Sequence, residues 1–385
     1  LVSVTGAVTE RSVALMKDAP VVVINFENLM WLRDWYKERK RAWPFTTVVA
    51  DEATRLKSFR LRQGGVRAQA LGQVAHKEVK RFIELTGTPS SNGLEDLWGQ
   101  VWFLDAGQRL GRTFSAFQSR WFRPVKNGQF NRWVATEHAQ ADIQERLADI
   151  CLTLDPKDWF DLADPIVNVI EVDMPPSAQK HYRELEKEMF TQLGKGEEVE
   201  VFNAAALTMK CLQLANGAMY LDPDRYGPDV AIEVHTAKIE AVESLLNELG
   251  GEPLLLAYHF KSDRKRLLEA FPDALDLSTK DGMAAAMRGE GVLWLGHPAS
   301  MGHGVDGLQY HCNTVCFFAQ DWSLENHDQL IERVGPMRQF QAGLKRNVHV
   351  HYIVARGTVD ELVVARRASK RSVQDALLDY MKRKR

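Results

Sequence analysis

The chain has 385 residues, 26% of them charged, with a formal net charge of −2. That length allows two domains of ordinary size, and the near-balanced charge excludes a globally basic nucleic-acid binder. No apolar run is long enough to span a bilayer, no secretory signal opens the chain, and the scattered cysteines (Cys151, Cys211, Cys312 and Cys316) suit a reducing compartment.

The chain opens at Leu1 in sequence of domain-interior character and is expected to follow an N-terminal portion. Val21–Asn25, after Pro20, predicts a strand, and Leu29–Lys40 a helix. Thr46 to Ala50 is a β-branched and small apolar run that predicts a strand buried on both faces. It ends in Asp51 and Glu52, and ligands of parallel sheets sit beyond the carboxyl ends of the strands. Two adjacent acids there suit nucleotide hydrolysis, one holding Mg²⁺ through water and the other orienting the attacking water. Taken alone, the same residues make an ordinary acidic turn. The basic stretch Arg55 to Lys80 predicts a loop at Gly64-Gly65 and then a helix through Val66, Ala70 and Val74. Arg81–Leu85 is the next strand, ending in Thr86-Gly87-Thr88-Pro89.

Leu94 to Asp164 is rich in Trp and Phe and predicts helices with loops. Within it, Gly111 to Trp133 carries Arg112, Arg120, Arg123, Lys126 and Arg132 without any Asp or Glu, and aromatics interleave. That composition suits a surface tracking a nucleic-acid backbone, or a helical core with solvated arginines. Ile166–Val172 predicts a strand entering a second unit. Helices are predicted at Ser177–Leu193 and Asn203–Met219, with loops at Gly194–Glu200 and Asp222–Pro228. Thr236–Leu249 is a helix closed by Gly250-Gly251. Strands Leu254–Tyr258, Val292–Leu295, Thr314–Phe318 and Val348–Val354 then alternate with helices, the pattern of a parallel sheet. A final helix from about Thr358 carries Arg366, Arg367, Lys370 and Arg371, read as a solvated face, and Lys382 to Arg385 form a basic tail.

Two further stretches complete a series. Gly302 to Gln309 is glycine-rich, and Gln329 to Gln339 carries Arg333 and Arg338. Glycines allow close backbone approach to phosphates, and arginines on a separate lobe stabilise transition-state phosphate charge. His297, His303, His311, Cys312 and Cys316 match no common zinc spacing and are read as core.

In order and spacing, Asp51-Glu52-Ala53-Thr54, Thr86-Gly87-Thr88-Pro89, Gly302–Gln309 and Gln329–Gln339 resemble motifs II, III, V and VI of superfamily-two helicases, above all the Swi/Snf-type ATPases. Asn25-Phe26-Glu27 is similar to their motif Ib, and Thr236-Ala237-Lys238 to the opening of their second lobe. Phe103-Leu104-Asp105 resembles the compact bacteriophage and mobile-element branch. The resemblance implies an α/β fold of two RecA-like parallel-sheet lobes, 1–165 and 166–385. The first is incomplete at its N-terminus, and a helical insertion spans about 94–164. It implies ATP and Mg²⁺ as cofactors, with Mg²⁺ held through water at Asp51, water activation by Glu52, and arginines from Arg333 and Arg338. Thr86, Gly87, Thr88, Gly302, Gly304, Asp306 and Gln329 would couple nucleotide to lobe movement. Arg120, Arg123 and Lys126 would touch DNA, double-stranded in this branch. No membrane is implied, and the setting is the cytoplasm of a bacterial or phage-infected cell.

Three departures stand out. Thr54 replaces a frequent His, Pro336 occupies the position of the second motif VI arginine, and no G-x-x-x-x-G-K-[ST] occurs. A Walker-type loop upstream of Leu1 would account for the last. The rival readings are a non-catalytic nucleic-acid-binding scaffold and a nuclease using Asp51 and Glu52 as metal ligands.

Overall fold

The computed structural model describes residues 1–62, 64–87, 89–90, 93–127, 130–152, 160–195, 198–227, 229–301 and 305–369. At 126–127, 130–132, 189–195, 198–205, 366 and 368–369 it describes the backbone alone. The chain divides into two compact units: Leu1–Lys126 with Asn131–Leu152, and Asn127–Phe130 with Thr153–Arg385.

The first unit runs β1 (Val2–Ser3), α1 (Val8–Leu15), β2 (Val22–Val23), α2 (Leu29–Glu38), β3 (Thr47–Asp51), α3 (Val66–Ala75), β4 (Arg81–Leu85), α4 (Asp96–Asp105), α5 (Phe114–Trp121), β5 (Phe122–Asn127), β6 (Phe130–Ala135) and α6 (Ala139–Leu147). β3 and β4 pair in parallel, with Asp51 opposite Leu85, so the acidic pair and Thr86 lie at the same end of the sheet. β3 is not buried on both faces as expected. Ala50 packs into the core, whereas Val49 is 56% exposed, because among the described residues only β4 pairs with it. The core behind this pair gathers Leu56, Phe59, Trp98, Phe103, Phe117 and Trp121.

The Trp- and Phe-rich region departs from the helical expectation. After α5 the chain turns extended at Phe122 and forms the β5–β6 pair. Pro124 removes a helical donor, and Phe122 and Val125 favour strand.

The second unit runs β7 (Ile166–Val172), α7 (Pro176–Lys195), α8 (Glu198–Ala215), β8 (Ala218–Tyr220), α9 (Pro223–Tyr226), β9 (Ala231–Glu233), α10 (Ala237–Leu249), β10 (Leu254–Ala257), α11 (Lys261–Ala270), β11 (Leu275–Asp276), α12 (Lys280–Met287), β12 (Leu293–Gly296), α13 (Pro298–Met301), β13 (Thr314–Phe317), α14 (Leu324–Glu332), α15 (Pro336–Gln341), β14 (His349–Ala355) and α16 (Val359–Ser369). Six strands form one parallel sheet in the order β11-β12-β10-β13-β14-β7. Alternate residues feed two cores. Leu255, Trp294, Val315 and Val350 face one side, and Leu256, Leu295, Cys316 and Ile353 the other. Helical cover on both faces is why these strands read as continuous apolar runs.

Other boundaries shift for local reasons. Most of the loop expected at Gly194–Glu200 is helix: α7 continues to Lys195 and α8 starts at Glu198, in sequence rich in good helix formers. The helix expected to reach Met219 stops at Ala215. Gly217 takes φ 97°, where a Cβ would come within 2.1 Å of the His235 carbonyl, and the chain turns into β8. The expected Asp222 loop contains the short helix α9, capped by Asp222 with Pro223 at its first position. Arg367 is not on a solvated face. It donates to the Gln320 side chain (2.7 Å) and the Asp321 carbonyl (3.1 Å), sharing a helical stripe with buried Val359 and Val363. Lys370, Arg371 and the Lys382–Arg385 tail lie outside the described residues.

Candidate active site

The predicted site residues fall into two groups, one in each unit. In the first, β3 delivers Asp51, exposed, to the end of the β3–β4 sheet. Glu52 follows with φ 55° and ψ 56°, a left-handed conformation that costs a non-glycine residue about 1–2 kcal/mol. It reverses the chain into a 3₁₀ turn, Ala53–Leu56, that sinks Thr54 and Leu56 into the core. Strain kept at an acidic residue on a strand end is a feature of functional sites.

The turn is anchored from two directions. Arg55 pairs with Glu27 at 2.8 Å, and Arg67 lies 3.6 Å from the same carboxylate, so Asn25-Phe26-Glu27 is tied to the acidic box. A backbone hydrogen bond, with help from both arginines, holds Glu27 below the usual carboxylate range. α4 closes from behind: a Cβ on Gly99 would meet the Lys57 and Leu56 carbonyls at 2.5 and 2.7 Å, so only glycine allows this approach. Gln100, fully buried on the same helix, donates to the Pro89 carbonyl at 2.6 Å and pins the end of Thr86-Gly87-Thr88-Pro89. Open space surrounds Gly87, so packing does not require glycine there. Thr88 lies outside the described residues. Sequence reasoning missed Gln100; its only signal was a polar residue on the apolar face of a helix.

β4 carries a second carboxylate, Glu84, opposite Ala50. Its Oε1 is sealed from solvent with no hydrogen-bond partner among the described residues, and burial pushes the group up to about 9.

In the second unit, Arg333 follows α14 and donates to the Val305 carbonyl at 2.8 Å. Arg338, in α15, is ion-paired with Asp306. Gln309 completes this loop: its side chain donates to Asp306 (3.0 Å) and accepts from the Gly307 amide (2.9 Å). Gln339 is fully buried and donates towards the Cys312 and Val334 carbonyls, while Arg346 donates to its oxygen at 3.0 Å. The structure therefore brings Arg333, Arg338 and Asp306 together. Gln329 is half-buried on α14. Gly302, His303 and Gly304 lie outside the described residues. The helix ends at Arg333, Gly335 is extended (φ −66°, ψ 171°), and Pro336, which lacks an amide donor, opens α15. The turn thus uses no left-handed glycine.

Lys238, at the opening of this unit, is fully buried. It pairs with Asp360 at 2.6 Å and donates to Asn216 (2.8 Å) and the Phe318 carbonyl (3.0 Å). Cys312 and Cys316 are core residues, and burial pushes the Cys312 thiol up to about 11.

The candidate DNA segment is divided. Phe117, Trp121 and Phe122 are buried, with the Trp121 indole donating to Asp142 at 2.6 Å. They are core, not stacking platforms for bases. Arg120 and Arg123 are exposed, Arg120 lying over the Trp121 ring at 4.8 Å. The Lys126 side chain lies outside the described residues.

Asp51 and Glu52 thus end a strand of one parallel α/β unit, and Arg333 and Arg338 lie in the second unit. The model of the SNF2-related domain matches residues 5–217, more than half of the chain, and the chain belongs to that family. Protein p41 of Acyrthosiphon pisum secondary endosymbiont phage 1 is 49% identical over 99% of this chain and 82% of its own length. The RAD54-like DNA repair and recombination protein of Gallus gallus is 22% identical over 97% of this chain and 53% of its own length. Among solved structures, the Sulfolobus solfataricus SWI2/SNF2 ATPase core in complex with dsDNA is 20% identical, covering 95% of this chain and 75% of its own, at a TM-score of 0.40. Among the described residues, no helix is long and apolar enough to cross a membrane.

Proposed function

We propose that this chain is the motor part of a DNA-stimulated ATPase that translocates along duplex DNA. The observation carrying this reading is the Asp51–Glu52 pair at the β3 end, with Glu52 held in a left-handed conformation. The hard carboxylate of Asp51 suits Mg²⁺, which keeps most of its ligands as water and phosphate oxygens. Among the described residues no Lys or Arg pairs with Asp51, so its charge is available to the cation. When bound with ATP, Mg²⁺ neutralises phosphate charge. Asp51 would hold the metal through its water shell, Glu52 would orient the attacking water, and Arg333 and Arg338 would stabilise phosphate charge. Thr86, Gly87, Thr88, Gly302, Gly304, Asp306 and Gln329 couple nucleotide state to movement. Arg120, Arg123 and Lys126 contact DNA phosphates. These 385 residues contain no G-x-x-x-x-G-K-[ST]. The test is ATP-dependent displacement of a triplex-forming oligonucleotide from duplex DNA by the full-length protein. Displacement with ATP supports translocation. ATP hydrolysis without displacement contradicts it, and DNA binding with neither identifies a scaffold.

A further inference from the structure

We propose that the free edge of β7 docks an extended, basic segment of a partner protein as an added strand. β7 is the last strand of the six-stranded sheet and pairs only with β14 among the described residues. Ile166 donates to the Val348 carbonyl at 2.8 Å, and Arg356 donates to the Val172 carbonyl at 2.9 Å. The even-numbered residues of β7 therefore spend their backbone groups on β14. Parallel pairing alternates, so the N–H and C=O of Val167, Val169 and Glu171 point outward. Val167 and Val169 are 58% and 50% exposed. The strand, Ile-Val-Asn-Val-Ile-Glu-Val, contains neither the Lys nor the Pro that usually blocks such an edge.

Charge selects the occupant. A groove of about 330 Å³ runs between β7 and α10 over an apolar floor that includes Ile170 and Leu245. Every charged residue lining it is a carboxylate: Glu171, Asp173, Glu240 and Glu248. Arg356 pairs with Glu171 (2.9 Å) and Asp173 (2.8 Å), while Glu240 accepts from the neutral Thr236 hydroxyl at 2.6 Å and Glu248 is exposed. The groove is left net acidic, which repels nucleic acid and attracts Lys or Arg. An added strand with small apolar residues at alternate positions and basic residues between them satisfies both the open backbone and the carboxylates.

The probe is a fluorescein-labelled Lys-Val-Lys-Val-Lys-Val-Lys peptide, titrated by fluorescence anisotropy. Saturable binding is expected. It should weaken at least about tenfold when Glu replaces Lys in the peptide, and similarly when its alternate amides are N-methylated. Val169→Pro should have the same effect, since its N–H points away from β14 and the ladder survives. Should that variant fail to fold, the N-methylated peptide decides alone. Absence of binding, equal binding of the Glu peptide, or unchanged binding of the N-methylated peptide would each overturn the proposal.

Discussion

Arg338 is ion-paired with Asp306, a contact that joins the first turn of α15 to the end of the glycine-rich stretch. The same carboxylate accepts from Gln309 at 3.0 Å. The guanidinium is thus held beside the loop proposed to couple nucleotide state to movement, and to serve as the proposed finger it would have to exchange Asp306 for phosphate oxygens. Fingers of this kind contribute roughly 10³–10⁵ in rate. Arg338→Ala should slow single-turnover ATP hydrolysis on that scale, and Arg338→Lys nearly as much, because an ammonium lacks the planar fork. Nucleotide binding should largely persist. Normal turnover with and without DNA would make Arg338 a surface residue; a loss confined to DNA affinity would make it a DNA contact.

Lys238 and Asp360 are both fully buried, 2.6 Å apart. Removing one partner strands the other charge, at a cost of about 3–5 kcal/mol. Lys238→Met should destabilise by that amount in urea titration, and Lys238→Met with Asp360→Leu should recover part of it. A single substitution costing under about 1 kcal/mol would contradict a dry, paired site.

Glu84 supplies a pH test. Its folded pKa is raised from 4.5 to about 9. The folded state therefore holds a proton that the unfolded state has released, and stability falls as pH rises from about 4.5 to about 9. Glu84→Gln should leave stability near pH 4 little changed and raise it at pH 8 by about 1 kcal/mol or more. Parallel melting-temperature profiles for the two proteins across this range would show that Glu84 is not held neutral by burial.

The exposed arginines on and after α5 give a prediction for DNA. Replacing Arg120, Arg123 and Lys126 by Ala should weaken duplex binding and flatten its salt dependence, by about 0.9 in log–log slope for each phosphate that is no longer neutralised. An unchanged slope in a folded variant would return this segment to a structural role.

Much of this was legible because local chemistry and tertiary context agree. The Leu254–Tyr258 and Thr314–Phe318 runs read as strands of a parallel sheet and are, buried because helices cover both sheet faces. Asp51 and Glu52 stood out as two charges ending an apolar run. Less legible were features set by distant partners. Nothing near Gln100 or Gln339 announces that each satisfies carbonyls far along the chain. Lys238 stood in the stretch resembling the opening of a second lobe, but nothing near it announced Asp360, more than a hundred residues on, as its buried partner. The aromatics around Trp121 looked equally suited to stacking or packing; only the fold, which buries them, separates the two.

Everything proposed for the motor depends on Asp51 and Glu52 being its hydrolytic pair. That is decided by steady-state ATP hydrolysis by the full-length protein and its Glu52→Gln variant, with and without duplex DNA, alongside ATP binding. The amide keeps the shape of Glu52 but cannot act as a carboxylate towards the attacking water. The expected result is DNA-stimulated turnover that falls at least about a hundredfold in the variant while ATP binding is retained. Unchanged turnover in Glu52→Gln would mean that the acidic pair is not the hydrolytic site.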